Sequence, residues 1–420
     1  MIGSMLDLDH PRREAIARLV AASLARRGVD VATQGIEVIE VEALLAGRPG
    51  LLDIVARVHD RLWHLVLGLH PAGTEVHMLR GSDDAVLGGF EDENGPAVAV
   101  DALWDADLAP LVALAIVGEE PSLVSISSDE RAVVLDIDDR IGLSVFSWLT
   151  DHPHPGVDML VSLDDAGFNH LAAPVALWRR HGRDLGVAQD LLTESADGWA
   201  LALSSLRDLY GAGVAPEQAG GDFADEARSL GRMTARMHLA SDRAFGRHNG
   251  AIADWAAEVE FVVRRLAPGL LGVPGPAESL RTLRANSAHY PMLRTHGDLH
   301  LGRTSRTNQG WVIADWLPGG VDVNGTPLFR SPLADVADLL WSLHFVAVSA
   351  LDERHPSLRP RLEPLALAWE ERNHAAFLVG YLSTPGIDEL VPADRDLVDE
   401  LTSVFELEQS AVRREQLPVA

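Results

Sequence analysis

The stretch from Arg294 to Trp316, RTHGDLHLGRTSRTNQGWVIADW, sets two carboxylates, Asp298 and Asp315, seventeen positions apart across a loop and an apolar strand. A carboxylate on a loop can accept a proton from a hydroxyl, and one at a strand end can hold a hard cation such as magnesium, which prefers oxygen ligands. The usual clamp for a phosphate chain would be a lysine, and this chain has none: all 35 of its Lys plus Arg residues are Arg. His296 and His300 share the HxxxH spacing of a helical zinc motif. Gly297 between them and the missing Glu argue against a metal pair.

On either side of this stretch the pattern is helical from Asp197 onward. Trp199, Leu203, Leu206 and Tyr210 lie on one stripe, and Val336, Leu339, Leu340, Leu343 and Val346 on another, which Ser331-Pro332 would start. The HGDLH loop and WVIAD strand are the strong exceptions in this half. GVPGPAE (272 to 278) and VDVNGTP (321 to 327) read as loops. Toward the N-terminus, Pro11 to Arg27 reads as a helix capped by Asp9. The runs IEVIEVEALL, RLWHLVLGLH, TEVHMLRG, AVLGGFE and PAVAVDAL follow as strands, and Asp105 to Val117 as a helix. Residues 119 to 193 give five strands and one helix, Gly156 to Ala166. The expected units are therefore a β-rich cap (1–118), a small mixed unit (119–193) and a helical unit (194–420).

Composition narrows the partners. At 420 residues, 47% hydrophobic and 23% charged, the chain has ordinary globular usage and room for two or three units. The formal charge of −27 disfavours nucleic acid and anionic membranes, whose phosphates need basic side chains. Apolar runs such as Leu111 to Gly118 fall short of a bilayer span, and the N-terminus lacks a secretory pattern. With no Cys there is neither a disulfide nor a thiolate site. A cytoplasmic address is the expectation.

Three segments, ADGWALALSSLRDLY (196 to 210), THGDLHLG (295 to 302) and RSPLADVADLLWSLHFVA (330 to 347), resemble the maltokinase and actinobacterial glucosamine kinase group of the aminoglycoside-phosphotransferase-like enzymes. The first 118 residues resemble that group's cap. The resemblance implies an α+β, protein-kinase-like bilobal fold with an added N-terminal cap, a mostly helical C-terminal lobe and a hinge near Gln189 to Leu192. It puts Asp298 at the catalytic base, His296 as a brace of the loop, and Asp315 at the magnesium-binding carboxylate. ATP and Mg2+ would be the cofactors of an active member, and a small sugar or amino sugar its substrate.

Departures from that group gather at the nucleotide side. Ser144, in GLSVFSWL, takes the place of the phosphate-clamping lysine. Asp158 aligns with the acid that would hold that lysine, and is expected to lack a salt-bridge partner there. Ser122, in EEPSLVSIS, falls in the phosphate turn, and Gln189 opens the hinge. Arg303 stands five residues after Asp298, where kinases place an amide ligand for the second magnesium. Its guanidinium is expected to pair with Asp298 or Asp315; at 4 Å and an effective dielectric near 20 such a pair is worth about 4 kcal/mol before desolvation. Arg131 or Arg140 could replace the lost lysine charge.

Three functions are compatible with these residues. One is a pseudokinase-like binder of sugar, nucleotide or partner with no required cofactor. Another is an active, divergent sugar or amino-sugar kinase using Asp298. The third is an interaction module docking on a trehalose- or glycogen-pathway protein.

Overall fold

The computed structural model describes residues 4–6, 9–29, 31–79, 85–128, 131–316 and 327–416. Most of the expected VDVNGTP loop, and all of the WLPGG turn beyond Trp316, lie outside the described residues. The chain divides into two compact units. One comprises Met1–His154 with Ala173–Thr193, the other Pro155–Ala172 with Glu194–Ala420.

The first unit is built on two antiparallel sheets. The larger runs in the order Ser4–Met5, Ile36–Leu45, Gly50–Val58, Arg61–Pro71, Gly95–Asp101, Val86–Asp92, and the short strand Trp148–Leu149 pairs with Arg61–Pro71. Helix His10–Arg26 starts where Asp9 accepts from the Arg12 amide at 3.1 Å. It buries Ile16, Leu19, Val20 and Leu24 against Val38, Ile54, Leu67 and Phe90. Each such aliphatic side chain contributes roughly 1.5–3 kcal/mol on burial. TEVHMLRG departs from the expected strand: among its described residues only Met78 makes a bridge, to Asp105. The expected helix from Asp105 begins later, at Ala109, because the Asp105 carboxylate accepts from the Asp107 and Leu108 amides and holds a turn there.

The second sheet has the order Pro174–Arg180, Arg183–Asp190, Ile141–Phe146, Ala132–Ile137, Val124–Ser128. A charged network joins it to the larger sheet. Arg180 reaches Glu42 at 2.5 Å and the buried Asp53 at 2.8 Å, Asp53 receives His64 Nε2 at 2.8 Å, and Arg183 reaches Glu40 at 2.7 Å.

The second unit is mostly helical, with helices Gly198–Ala212, Ala224–Phe245, Leu333–Asp352, Arg359–Leu382 and Arg395–Gln416 around its core. Gly231 and Gly380 let the second and fourth of these touch backbone to backbone. Two small antiparallel sheets interrupt the helices, one more than the sequence suggested: Ala196–Asp197, Thr304–Thr307 and Gly310–Ile313 form the first, and His248–Ala251, His289–Arg294 and Phe329–Arg330 the second. Leu333–Asp352 is long and apolar enough to cross a bilayer, but 72% of that stretch is buried inside the fold and it carries the buried Asp335 and Asp338. Both are features of a core helix.

Candidate functional site

The loop after strand His289–Arg294 is set by backbone hydrogen bonds to one buried acid. The amides of His296 and Gly297 donate to the two oxygens of Asp335 at 2.8 and 2.9 Å. Gly297 has φ +80, a conformation that only glycine adopts cheaply. His238 Nε2 donates to the same carboxylate at 3.2 Å while its Nδ1 accepts from the Tyr381 hydroxyl at 2.8 Å. Burial opposes the charge on Asp335, but His238 and these donors outweigh it and hold the carboxyl below its ordinary value.

His296 Nε2 donates to the Asp315 carbonyl at 2.8 Å, so this ring ties the loop to the end of strand Gly310–Ile313. Burial pushes its pKa down, which keeps the imidazole neutral. The result brings Asp298 and Asp315 to one guanidinium. Arg303 Nη2 donates to Asp298 Oδ2 at 2.6 Å, and Arg303 Nη1 donates to Asp315 Oδ2.

A residue that sequence reasoning passed over completes the cluster. Arg413, near the end of helix Arg395–Gln416, donates to Asp298 Oδ1 at 2.7 Å with its guanidinium 5.0 Å over the Trp341 ring. No signal in the sequence joins positions 115 residues apart, although AVRRE does place arginines at the end of an amphipathic helix. Burial would raise Asp298, but Arg303 and Arg413, with His300 beside them, hold it low. Burial and the same two arginines push His300 down to about 4 although Asp298 opposes them. A carboxylate held low is a weaker proton acceptor.

The residues present do not fit a magnesium ion. A guanidinium cannot ligate a cation, Arg303 bonds both candidate carboxylates, and no group of three or more His, Asp or Glu suited to a metal occurs among the described residues.

The other sequence candidates lie elsewhere. Asp158, on helix Pro155–Asp165, was expected to lack a salt-bridge partner. It has one, because the buried Arg294 donates to it at 2.5 Å and to the Pro155 carbonyl at 2.7 Å. Arg294 reaches it from the strand that leads into the Asp298 loop, a pairing no local pattern encodes.

Ser144 and Gln189 sit on adjacent strands and share one face of the five-stranded sheet: Ser144 opposes Val187, and Gln189 opposes Gly142. Ser122 is at the end of that sheet bearing the 138–140 turn, and its amide and that of Leu123 donate to Asp138 at 2.9 and 2.7 Å. These donors are thus satisfied by an internal carboxylate. Arg140 is at the same end, on Glu119 at 2.5 Å, whereas Arg131 is at the opposite end.

No family model matches the chain. Over 287 residues it is 27% identical to a glucosamine kinase of Mycolicibacterium smegmatis, covering 63% of this chain and 66% of that protein. Over 253 residues it is 27% identical to a glucosamine kinase of Streptacidiphilus jiangxiensis, covering 55% and 54%. The chain thus spans about half to two thirds of the length of these relatives.

Among solved structures, a glucosamine kinase in complex with glucosamine, ADP and inorganic phosphate superposes with a TM-score of 0.66 at 20% identity, covering 94% of this chain and 93% of that one. Another glucosamine kinase structure, crystal form B, gives 0.67 at 18% identity over 97% and 94%. The fold is therefore the α+β fold of protein-kinase-like phosphotransferases. In sequence the chain is similar to glucosamine kinases.

Proposed function

We propose that this chain is a glucosamine-kinase-like protein in which ATP-dependent phosphorylation of a small sugar is lost or strongly weakened. It would act instead as a pseudokinase-like binder of an amino sugar, a nucleotide or a partner protein. The observation that carries this reading is the Arg303 guanidinium hydrogen-bonded to both Asp298 and Asp315. In protein kinases the corresponding position is an amide ligand of the second magnesium, and a lysine clamps the phosphates. Here the first is Arg303 and the second, by the resemblance of GLSVFSWL to the lysine-bearing strand, Ser144. Losing one preorganised charge-stabilising group costs about 10² to 10³ in rate. Loss of two would leave turnover roughly four or more orders of magnitude low, although such effects need not add.

The second reading is an active, divergent amino-sugar kinase with Asp298 as base and ATP and Mg2+ as cofactors. It is favoured by the retention of both carboxylates at one site. Thermal shift with ATP, with and without magnesium, followed by phosphate transfer to glucosamine, maltose, glucose and aminoglycosides, separates the two. The proposal expects no magnesium-dependent stabilisation by ATP and no turnover above background. Rapid, metal-stimulated transfer to any of these acceptors would replace it with the second reading.

A further inference from the structure

The two oxygens of Asp298 are taken by arginines from different elements. Arg303, in the turn Leu301–Arg303, donates Nη2 to Oδ2 at 2.6 Å and Nη1 to Asp315, so Oδ2 is the oxygen tied to the Asp315 side. The other oxygen, Oδ1, receives Arg413 Nη2 at 2.7 Å from helix Arg395–Gln416. The Asp298 side chain is still 30% exposed, so this carboxylate stands at the wall of an accessible site rather than in the core. A carboxylate acts on a hydroxyl only through an oxygen within hydrogen-bond reach of it. With Oδ2 committed to the Asp315 side, that oxygen is Oδ1.

Arg413 is brought there by a helix that is fixed independently of Asp298. On the same helix Ser410 Oγ accepts from Trp341 Nε1 at 3.1 Å, and the Arg413 guanidinium lies over that indole. Glu408 accepts from Arg330 at 2.5 Å, and Phe405, Leu407 and Ala411 are buried. The fork itself is less well served. Its Nε is buried without a hydrogen-bond partner, and among the described residues Asp298 is the one acceptor of Arg413. A buried donor left unpaired costs free energy, so the orientation of this guanidinium is set by the carboxylate it covers.

We propose that Arg413 is an autoinhibitory contact that occupies the oxygen an incoming sugar hydroxyl needs. Arg303 closes the cation side of Asp298 and Arg413 the acceptor side, with helix Arg395–Gln416 as the strap that delivers the second block. This inference rests on the proposed function, which faces Asp298 toward the sugar.

Calorimetric titration of the full chain with glucosamine, without nucleotide or metal, is the test. Arg413→Ala and Arg413→Met, the second keeping an apolar stem over Trp341, should each bind glucosamine about tenfold or more tightly than the unmodified chain, as one freed charge-assisted hydrogen bond allows. Arg303→Gln should gain less, because it frees the oxygen on the Asp315 side. Adding Asp298→Ala to Arg413→Ala should abolish the gain. No gain in either Arg413 variant with native circular dichroism, an equal gain in Arg303→Gln, or a gain that survives Asp298→Ala would each overturn the assignment. Failure of the proposed function shows in a different readout, rapid metal-stimulated phosphate transfer by the unmodified chain, so the two failures are told apart.

Discussion

Arg294 and Asp158 form an ion pair at 2.5 Å between strand His289–Arg294 and helix Pro155–Asp165. The two ends are unequal: the Arg294 side chain is 5% exposed and the Asp158 side chain 46%. Arg294 also donates to the Pro155 carbonyl and lies 4.4 Å over the Phe245 ring. Asp158→Asn should therefore cost no more than about 1 kcal/mol, as for a solvent-screened pair. Arg294→Ala, which strands a buried carbonyl and empties packed space, should cost about 3 kcal/mol. Urea denaturation of both variants checks the asymmetry, and equal losses would contradict it.

Replacing Arg303 with Gln should reopen the space between Asp298 and Asp315. Without the guanidinium the two carboxylates repel, so the melting temperature should drop by a few degrees. Millimolar magnesium should then restore it through ligand linkage while leaving the unmodified chain unaffected. Adding Ser144→Lys should give magnesium-dependent stabilisation by ATP. The same magnesium response in both proteins would show that Arg303 does not exclude the ion.

Burial, with Glu370 nearby, pushes the half-buried Glu406 carboxyl up to about 8, against the help of His344. The hydrogen bond that His344 donates to Glu370 raises His344, and burial lowers His374 in the same cluster. For Glu406 the folded value lies above the unfolded one, so the native chain keeps a proton that the unfolded chain releases. Its contribution to stability is fully present below about pH 4.5 and is lost as pH rises through about 8. Glu406→Gln should accordingly raise the denaturation midpoint above pH 8 relative to the unmodified chain, with little difference near pH 4.5. A pH-independent offset would mean that this carboxyl does not titrate as described.

A Cβ on Gly380 would sit 2.0 Å from the Arg228 carbonyl oxygen, and one on Gly231 2.1 Å from that of Phe377. Both contacts are with backbone, which cannot rotate away. Gly380→Ala, a change that favours an isolated helix, should instead cost about 3 kcal/mol. Thermal denaturation of this variant beside Gly211→Ala, where nothing crowds the added methyl, isolates the clash from propensity.

The sequence was most readable where contacts depend on neighbours along the chain. Asp9 caps its helix, IEVIEVEALL forms a strand, and Asp298, His296 and Asp315 meet because one loop and one strand carry all three. What it hid was long-range partnering. Arg413 reaches Asp298 from a distant helix, Arg294 takes Asp158, and Asp138 satisfies the Ser122 amide from a turn with φ +55. TEVHMLRG alternates like a strand, yet among its described residues only Met78 makes a β-bridge.

Ser147 is the lone residue between strand Ile141–Phe146 and strand Trp148–Leu149. Its amide donates to the Arg131 carbonyl at 2.8 Å and its carbonyl accepts from the His64 amide at 3.0 Å, so it is bonded to both sheets at once. There is no slack in the chain at this crossing. Cutting the protein after Gly118 would tear a shared seam rather than unclip an accessory, leaving Leu149 without Leu62 and its neighbours to cover it. The strand that bears Ser144 is therefore moored to the N-terminal sheet through a single intervening residue.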